Sequence, residues 1–260
     1  MSAALVRSDA TAIPLGDNTV DLVVTSPPYF ALRSYQDGGE HYGGQIGSEA
    51  TPAAFLEALW AVTAECWRVL KPSGSLFVNL GDKYSQRVAT RMSSHQDGLQ
   101  PDREGVQKDW KRDRELGLAR MPSQNVMPNG KPVREKSLMG LPWRYAIGCI
   151  DGQADPDGRG WVLRSEIVWS KPNGLPESVT DRVRRSHEQW FHLTKEGRYY
   201  SNVDEVREPY SDKTVWTYPT GYGEGKHAIG TRGSTLRSPK PDSLGKLPGS
   251  VWTVPTQPLI

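Results

Sequence analysis

The feature that most constrains this fold is a strand that two consecutive prolines bring to an end. The β-branched run Val20-Asp21-Leu22-Val23-Val24 leads directly into Thr25-Ser26-Pro27-Pro28-Tyr29. Neither proline can donate to a sheet, and both would break a helix, so the strand must stop here. Its end is therefore a rigid corner with a hydroxyl, carbonyl oxygens that only accept hydrogen bonds, and an aromatic ring. Such a corner is suited to holding an amino group on a flat ring.

Apolar stretches on both sides of the corner predict an α/β fold. Residues 3–7 have the pattern of a short strand ending at Ser8-Asp9, and residues 75–80 that of a strand ending at Gly81-Asp82. Thr51-Pro52 predicts a helix start, with apolar residues then recurring every three or four positions until residues 71–74 end the helix. A helical crossover implies parallel strands in a doubly wound sheet, so we expect the three strand ends to line one crevice.

The remaining chain predicts fewer regular elements. The segment 30–49 has the composition of a long loop, a helix is expected from Leu141 to about residue 150, and strands are expected at residues 161–169 and 187–194. Residues 195–198 have the pattern of a hairpin turn into Tyr199-Tyr200. The sequence thus predicts strands on both sides of a long interruption.

Length and composition restrict the class of protein. A chain of 260 residues suits one large α/β domain or one domain with an added lobe. It contains no run of about 18 apolar residues and no signal-peptide pattern, so we expect a cytoplasmic protein without a membrane segment. Cys66 and Cys149 have neither disulfide nor metal-site spacing and are expected to be small buried residues. The five histidines show no ligand spacing, so no metal is expected.

Two polar segments carry basic residues. Between residues 84 and 137 there are eleven Lys and Arg against seven Asp and Glu, so the segment has a net charge of +4. The whole chain has a net charge of only +2. The segment is either a solvated, partly disordered insertion or a basic arm along a phosphate backbone, with Arg112 and Arg114 as contacts. Beyond residue 211, tyrosines alternate with basic residues that include Arg232 and Arg237, which indicates a possible DNA-recognition segment.

The motifs, taken together, resemble one family. Ser26-Pro27-Pro28-Tyr29 after a Val-Asp-Leu-Val-Val strand is similar to the catalytic motif of the amino-group DNA methyltransferases, which methylate the exocyclic nitrogen of cytosine or adenine. The similarity spans roughly residues 3–82 and 138–203. Its further blocks, in the family's order, are Ser8-Asp9-Ala10, Val69 to Leu76, Ile167 to Asn173 and Asp181-Arg182.

The resemblance implies methyl transfer from S-adenosylmethionine to the amino group of a base flipped out of double-stranded DNA. The Ser26 hydroxyl and the Pro27 carbonyl would accept the amino hydrogens, Pro28 would keep the backbone rigid, and Tyr29 would stack on the base. Serine at the first position favours cytosine N4, with adenine N6 as the alternative. A C5 mechanism needs a cysteine nucleophile, which neither cysteine supplies at a strand end.

The resemblance also implies further site residues, each with a structural alternative. Ser8, Asp9 and Asp82 would contact the cofactor, although the two aspartates could equally be turn or capping residues. Trp169 and Lys171 would lie near the flipped base, or else be a core tryptophan and a solvated lysine. His187-Glu188 matches a family position too, but there we expect packing.

One family motif is missing. Members with this block order carry an Asp-Pro-Phe-x-Gly-Ser-Gly-like cofactor loop near the C-terminus, and the sequence contains none. We therefore expect a Rossmann-like S-adenosylmethionine methyltransferase sheet that is incomplete at its C-terminal, cofactor half, with polar insertions, and weak cofactor binding. The chain would be a fragment or one half of a split enzyme, completed by a separate C-terminal half or by a homodimer.

The expected domain organisation follows from these blocks. Residues 1–83 would form the catalytic half, 84–137 the basic insertion, 138–210 the rest of the catalytic sheet and 211–260 the recognition segment. The function expected is site-specific DNA methylation of the restriction-modification type. The alternatives are an inactive DNA-binding remnant of such an enzyme and a methyltransferase for amino groups of small molecules or proteins.

Overall fold

In the part of the chain that the structure describes, a five-stranded mixed sheet packs against two helices. The computed structural model describes residues 3–32, 36–37, 40–41, 44–85, 127–131, 133–174, 176–209 and 244–256. The strands are β1 (Val20–Thr25), β2 (Gln36–Asp37), β3 (Glu40–His41), β4 (Leu70–Leu80), β5 (Val162–Ser170), β6 (His187–Thr194) and β7 (Val251–Thr253). The helices are α1 (Pro52–Val69) and α2 (Leu141–Ile150), followed by a 3₁₀ turn at Val203–Val206. The sheet order is β1-β4-β6-β5-β7, and β2 and β3 form a separate hairpin.

The unit β1-α1-β4 is the parallel crossover that the sequence predicts. The Thr51 hydroxyl caps α1 by accepting the N–H of Ala54 at 3.2 Å, with Pro52 in the first turn. Strand β4 starts where the helix ends, earlier than expected. Its register jumps, because Val20 pairs with Leu70 whereas Leu22 pairs with Ser75. Residues 71–74 therefore form a bulge that joins the helix to the regular part of the strand.

The other strands make the sheet mixed. Strand β6 lies between β4 and β5 and is antiparallel to both, while β5 and β7 are parallel. Strand β7 lies in the 211–260 segment, and its residues 251–253 pair with the sheet. A recognition role for that segment stays a prediction. The α/β class is confirmed.

The two faces of the sheet differ. Alternate residues of β4, Leu76, Val78 and Leu80, join the buried cluster that includes apolar residues of both helices. Both described helices therefore lie on one face, not on both as a doubly wound sheet would require. On the opposite face, apolar side chains line a cavity of about 400 Å³: Val24, Phe77, Ile167, Trp169, Trp190, Trp252 and Val254.

The helices cross closely at a glycine. A Cβ atom on Gly148 of α2 would lie 2.1 Å from the ring of Trp60 in α1. The Trp60 indole N–H donates to the Tyr145 carbonyl at 3.1 Å, and the Tyr145 hydroxyl lies 2.8 Å from the Thr63 hydroxyl. The absence of a side chain at Gly148 thus permits the helix contact that covers the core.

Two sequence predictions are wrong. Residues 3–7 form no strand and are exposed, Leu5 fully. Strand propensity is realised only where side chains pack on a neighbour, and these have no buried face. Residues 195–198 bend, but Tyr199 and Tyr200 form no strand, and the Tyr199 ring packs edge-on against His192 at 5.2 Å.

Internal contacts divide the chain into two units. The first comprises Met1–Tyr199 with Val251–Ile260 and contains the sheet and both helices. The second, Tyr200–Ser250, contains the 3₁₀ turn and a two-bond bridge between Glu208 and Lys246. The domain bounds expected from the sequence motifs remain a prediction. Within the described ranges, neither helix is long and apolar enough to cross a membrane.

We expect Gly148→Ala to destabilise the protein. Alanine usually gains up to about 1 kcal/mol over glycine inside a helix, but here the methyl group must displace the Trp60 ring. The net loss should be about 1–3 kcal/mol in the free energy of unfolding, measured by urea denaturation. Gly197→Ala, where a Cβ atom meets nothing within 4 Å, is the matched control. Equal stability of the two variants would contradict the packing described here.

Candidate active site

The proline corner opens into a pocket at the carboxyl end of β1 and β4. The pocket has a volume of about 280 Å³ and is lined by Ser26, Pro27, Pro28, Tyr29, Leu32, Asn79, Trp169, Lys171 and Glu188. It lies on the sheet face away from the helices, because Asn79 follows Phe77 at the two-residue spacing of β4. The structure therefore brings Trp169 and Lys171 next to the corner, as the resemblance implies.

Asn79 ties the serine and the tyrosine of the corner together. Its side-chain N–H donates to the Gln189 carbonyl at 3.2 Å, which turns the amide oxygen towards the pocket. That oxygen lies 3.3 Å from the Ser26 hydroxyl and 2.6 Å from the Tyr29 hydroxyl. When Ser26 donates its proton to Asn79, the lone pairs of the serine oxygen are left to accept hydrogen bonds from a ligand.

An ion pair closes the other side of the pocket. The Tyr29 hydroxyl lies 2.8 Å from Oε2 of Glu188, and Lys171 Nζ lies 2.5 Å from Oε1 of the same carboxylate. The ammonium group also lies 4.2 Å from the centroid of the Trp169 ring, within cation–π range. Burial, reinforced by the neighbouring Glu188 carboxylate, raises the pKa of Tyr29 well above its usual range, so the hydroxyl stays protonated.

Two glycines leave room for the tyrosine. A Cβ atom on Gly81 would lie 2.6 Å from the Tyr29 ring, so any side chain there would push the ring out of place. Gly47, at a φ of 95°, lies where a Cβ atom would be 3.0 Å from the Tyr29 carbonyl oxygen. At Gly47 and Gly81 the backbone therefore packs directly against Tyr29 and holds it in position.

The three residues expected at the cofactor do not line this pocket. Asp82 accepts hydrogen bonds from the N–H groups of Lys83, Gly140 and Leu141 at 2.9–3.1 Å and so caps helix α2. Ser8 and Asp9 are exposed, and Asp9 accepts from the N–H and hydroxyl of Thr11, which lowers the pKa of its carboxyl group. The single crevice expected from three strand ends is therefore not formed, because residues 3–7 are not a strand. A cofactor role for these side chains stays a prediction.

Both cysteines are buried in helices, as expected. Burial raises the pKa of the Cys66 thiol to about 11 and that of the Cys149 thiol to about 12. Neither is poised as a nucleophile near neutral pH. Among the described residues, no group of three or more His, Cys, Asp or Glu could hold a metal ion. Arg112, Arg114, Arg232 and Arg237 lie outside the described residues.

Sequence reasoning missed two pocket residues. Asn79 is 2% exposed, and its signal was a polar residue within the apolar run 76–80, two positions after Phe77. Glu188 was expected to pack, but it contacts both Tyr29 and Lys171. The alternation of β6 could have indicated it, since Trp190, two residues on, faces the same cavity as Trp169.

Comparison with known proteins identifies the family. The N6/N4 DNA methylase family model matches residues 20–258. The type II methyltransferase M.XycI of Xanthomonas campestris pv. cyanopsidis is 37% identical over 235 residues, which cover 86% of this chain and 67% of the relative. M.Cfr9I of Citrobacter freundii is 37% identical over 233 residues, with the same coverage. The chain belongs to the N6/N4 DNA methylase family.

Similarity to solved structures is looser. The cytosine-N4-specific PvuII DNA methyltransferase superposes with a TM-score of 0.46 at 14% identity, over 94% of this chain and 53% of that one. This methylase chain thus spans about two thirds of the curated relatives and about half of the solved neighbour.

Capping by Asp82 predicts a stability effect in this methylase. Asp82→Ala leaves the N–H groups at the start of α2 without their acceptor and should cost about 1–2 kcal/mol in the free energy of unfolding. Asp157→Ala removes an exposed aspartate that lies 3.4 Å from Arg159 and should cost less than about 0.5 kcal/mol. Urea denaturation of both variants measures the difference. Asp82→Ala at wild-type stability would show that the carboxylate is not a structural cap.

Proposed function

We propose that this chain forms the base-binding side of a DNA methyltransferase that acts on the exocyclic amino group of cytosine. The observation that carries the proposal is the pocket at Ser26–Tyr29, where oriented acceptors lie beside an aromatic ring. Membership of the N6/N4 DNA methylase family supports an amino group as the target. The relatives M.XycI and M.Cfr9I are type II methyltransferases, which supports DNA as the substrate.

The acceptors explain how the pocket activates a weak nucleophile. The lone pair of an exocyclic amino nitrogen is delocalised into the base ring. The Ser26 hydroxyl donates a hydrogen bond to Asn79, so its oxygen can accept one amino hydrogen while the Pro27 carbonyl accepts the other. These two bonds favour tetrahedral geometry at the amino nitrogen and localise its lone pair. Alignment within the pocket supplies the rest of the rate enhancement.

The aromatic side chain explains why the base must leave the duplex. The pocket lies at a strand end and is lined by protein on several sides, so a base paired within DNA cannot reach Ser26. Tyr29 offers a ring on which the extruded base stacks. Trp169 adds a second aromatic wall.

The acceptor type supports the proposed target base. Ser26 is a neutral acceptor where an aspartate would be charged, which favours cytosine N4, and adenine N6 is the alternative. A methyltransferase for small molecules is less consistent with a family model for DNA methylation.

The cofactor side is less complete. S-adenosylmethionine is the methyl donor of the family reaction. Of the residues expected to contact it, Ser8 and Asp9 are exposed, while Asp82 caps a helix and lines a separate cavity of about 400 Å³. The described residues supply the acceptors for the amino group, at Ser26 and Pro27.

Identification of the modified base tests the function. DNA incubated with the chain and millimolar S-adenosylmethionine should yield N4-methylcytosine after nuclease digestion, identified by mass spectrometry. Ser26→Ala should slow the transfer on the order of 10²-fold, as expected on removal of one polar group that acts in the transition state. Ser73→Ala, in the exposed bulge of β4, is the control and should leave the rate unchanged. N6-methyladenine would establish the alternative, and no modified base at all would contradict the proposal.

The incomplete cofactor side generates a separate prediction. Calorimetric titration of the chain with S-adenosylmethionine should give weak, unsaturated binding up to millimolar ligand, because too few described contacts can offset the entropy lost on binding. A Ser26→Ala variant should bind it equally weakly. Tight binding with one molecule per chain would show that the cofactor site is present after all.

A further inference from the structure

The hydroxyl of Tyr29 lies between two acceptors but has only one proton to give. Its oxygen is 2.6 Å from the Asn79 amide oxygen and 2.8 Å from a carboxylate oxygen of Glu188. The Asn79 amide cannot turn round to donate, because its N–H is held by the Gln189 carbonyl. Ser26 already supplies a proton to the Asn79 oxygen. The Tyr29 hydroxyl therefore donates its hydrogen bond to the Glu188 carboxylate, which also pairs with Lys171 and is the stronger acceptor.

We propose that Glu188 is a positioning residue that fixes the Tyr29 ring before the base arrives. This inference rests on the function proposed above, in which the base stacks on that ring. The ring is fixed at two points: its hydroxyl end is held by the carboxylate, and its edge packs against the bare backbone of Gly81, where a Cβ atom would lie only 2.6 Å away. Together these contacts remove the ring rotation that would otherwise be lost on binding.

Lys171 keeps the carboxylate in this role. Its ammonium group lies 2.5 Å from the second oxygen of Glu188, and both side chains are less than one fifth exposed. The ion pair holds the carboxylate from its other side, so that the remaining oxygen stays directed at the Tyr29 hydroxyl. The ammonium group is in turn held over the Trp169 ring at 4.2 Å. One chain of contacts therefore runs from Trp169 through Lys171 and Glu188 to Tyr29.

The pocket has no net charge, which suits a neutral base. Lys171 and Glu188 cancel, and Ser26, Asn79 and Tyr29 are neutral, so the pocket presents hydrogen-bonding groups without a net charge. A neutral base can enter such a pocket without separating an ion pair. The pair sets the shape of the pocket and leaves the attraction of phosphate groups to other surfaces.

The first test uses the free protein and needs no DNA. In protein labelled with ¹³C at the tyrosine Cζ position, the Tyr29 resonance is assigned by its loss in Tyr29→Phe and followed against pH. In Glu188→Gln the amide oxygen turns to Lys171 and an NH₂ group faces Tyr29, so the Tyr29 hydroxyl loses its charged acceptor. We expect Tyr29 to ionise at a lower pH than in the wild type, and Glu57→Gln, an exposed glutamate on α1, to leave it unchanged. Unchanged ionisation of Tyr29 in Glu188→Gln would overturn the proposal.

The second test measures methyl transfer by single turnover, with all variants at the same millimolar concentration of S-adenosylmethionine. Tyr29→Phe and Glu188→Gln remove the same hydrogen bond from its two ends, so each should slow transfer about 10- to 100-fold. The double variant should be no slower than the slower single one, since the bond can be lost only once. If the rate reductions of the two single variants multiply in the double variant, Glu188 acts independently of Tyr29 and the proposal is wrong. If Glu188→Gln does not fold, a wild-type rate in Tyr29→Phe would overturn the proposal by itself. A wild-type chain that methylates no DNA contradicts the proposed function alone, because the ionisation of Tyr29 decides the positioning role without DNA.

Discussion

The alternation of side chains along β4 is the constraint on which both the core and the pocket depend. Successive residues of a strand point to opposite faces, so Leu76, Val78 and Leu80 enter the core under the helices while Phe77 and Asn79 face the other way. A shift of one residue in the pairing with β1 or β6 would exchange the two sets. It would bury Asn79 among leucines and expose the apolar residues. The same interaction pattern that stabilises the core therefore fixes the pocket.

The sequence predicted the elements whose signals are local. The end of β1 follows from Pro27 and Pro28, which cannot extend a ladder, and the start of α1 follows from the Thr51 cap. Helix α2 and strand β6 have the predicted bounds, because apolar periodicity and turn residues define both. The parallel pairing of β1 and β4 follows from the crossover between them. In each case the deciding physics lies within a few residues.

What the sequence could not predict depends on distant partners. Residues 3–7 have strand propensity but no face to bury, which only the fold reveals. Asp82 was expected at the cofactor, yet the start of α2, almost sixty residues on, takes its carboxylate as a cap. Glu188 is paired with Lys171 and with Tyr29, and the latter contact spans 159 positions of the chain. A carboxylate shows no preference in the sequence for capping, pairing or catalysis, so its role is set by what tertiary packing places beside it.

The pocket's polar residues stand at the border of an apolar face, and this position explains why they form a closed network. A polar group buried without a partner costs about 1–3 kcal/mol, more when it is charged, so each must be satisfied before any ligand binds. Asn79 bonds to the backbone of β6 and accepts from Ser26, and Glu188 bonds to Tyr29 and Lys171. Among the described residues of the pocket, Ser26 and the Pro27 carbonyl then have lone pairs directed at the ligand. The network holds its own members in place and leaves acceptors that an amino group would satisfy.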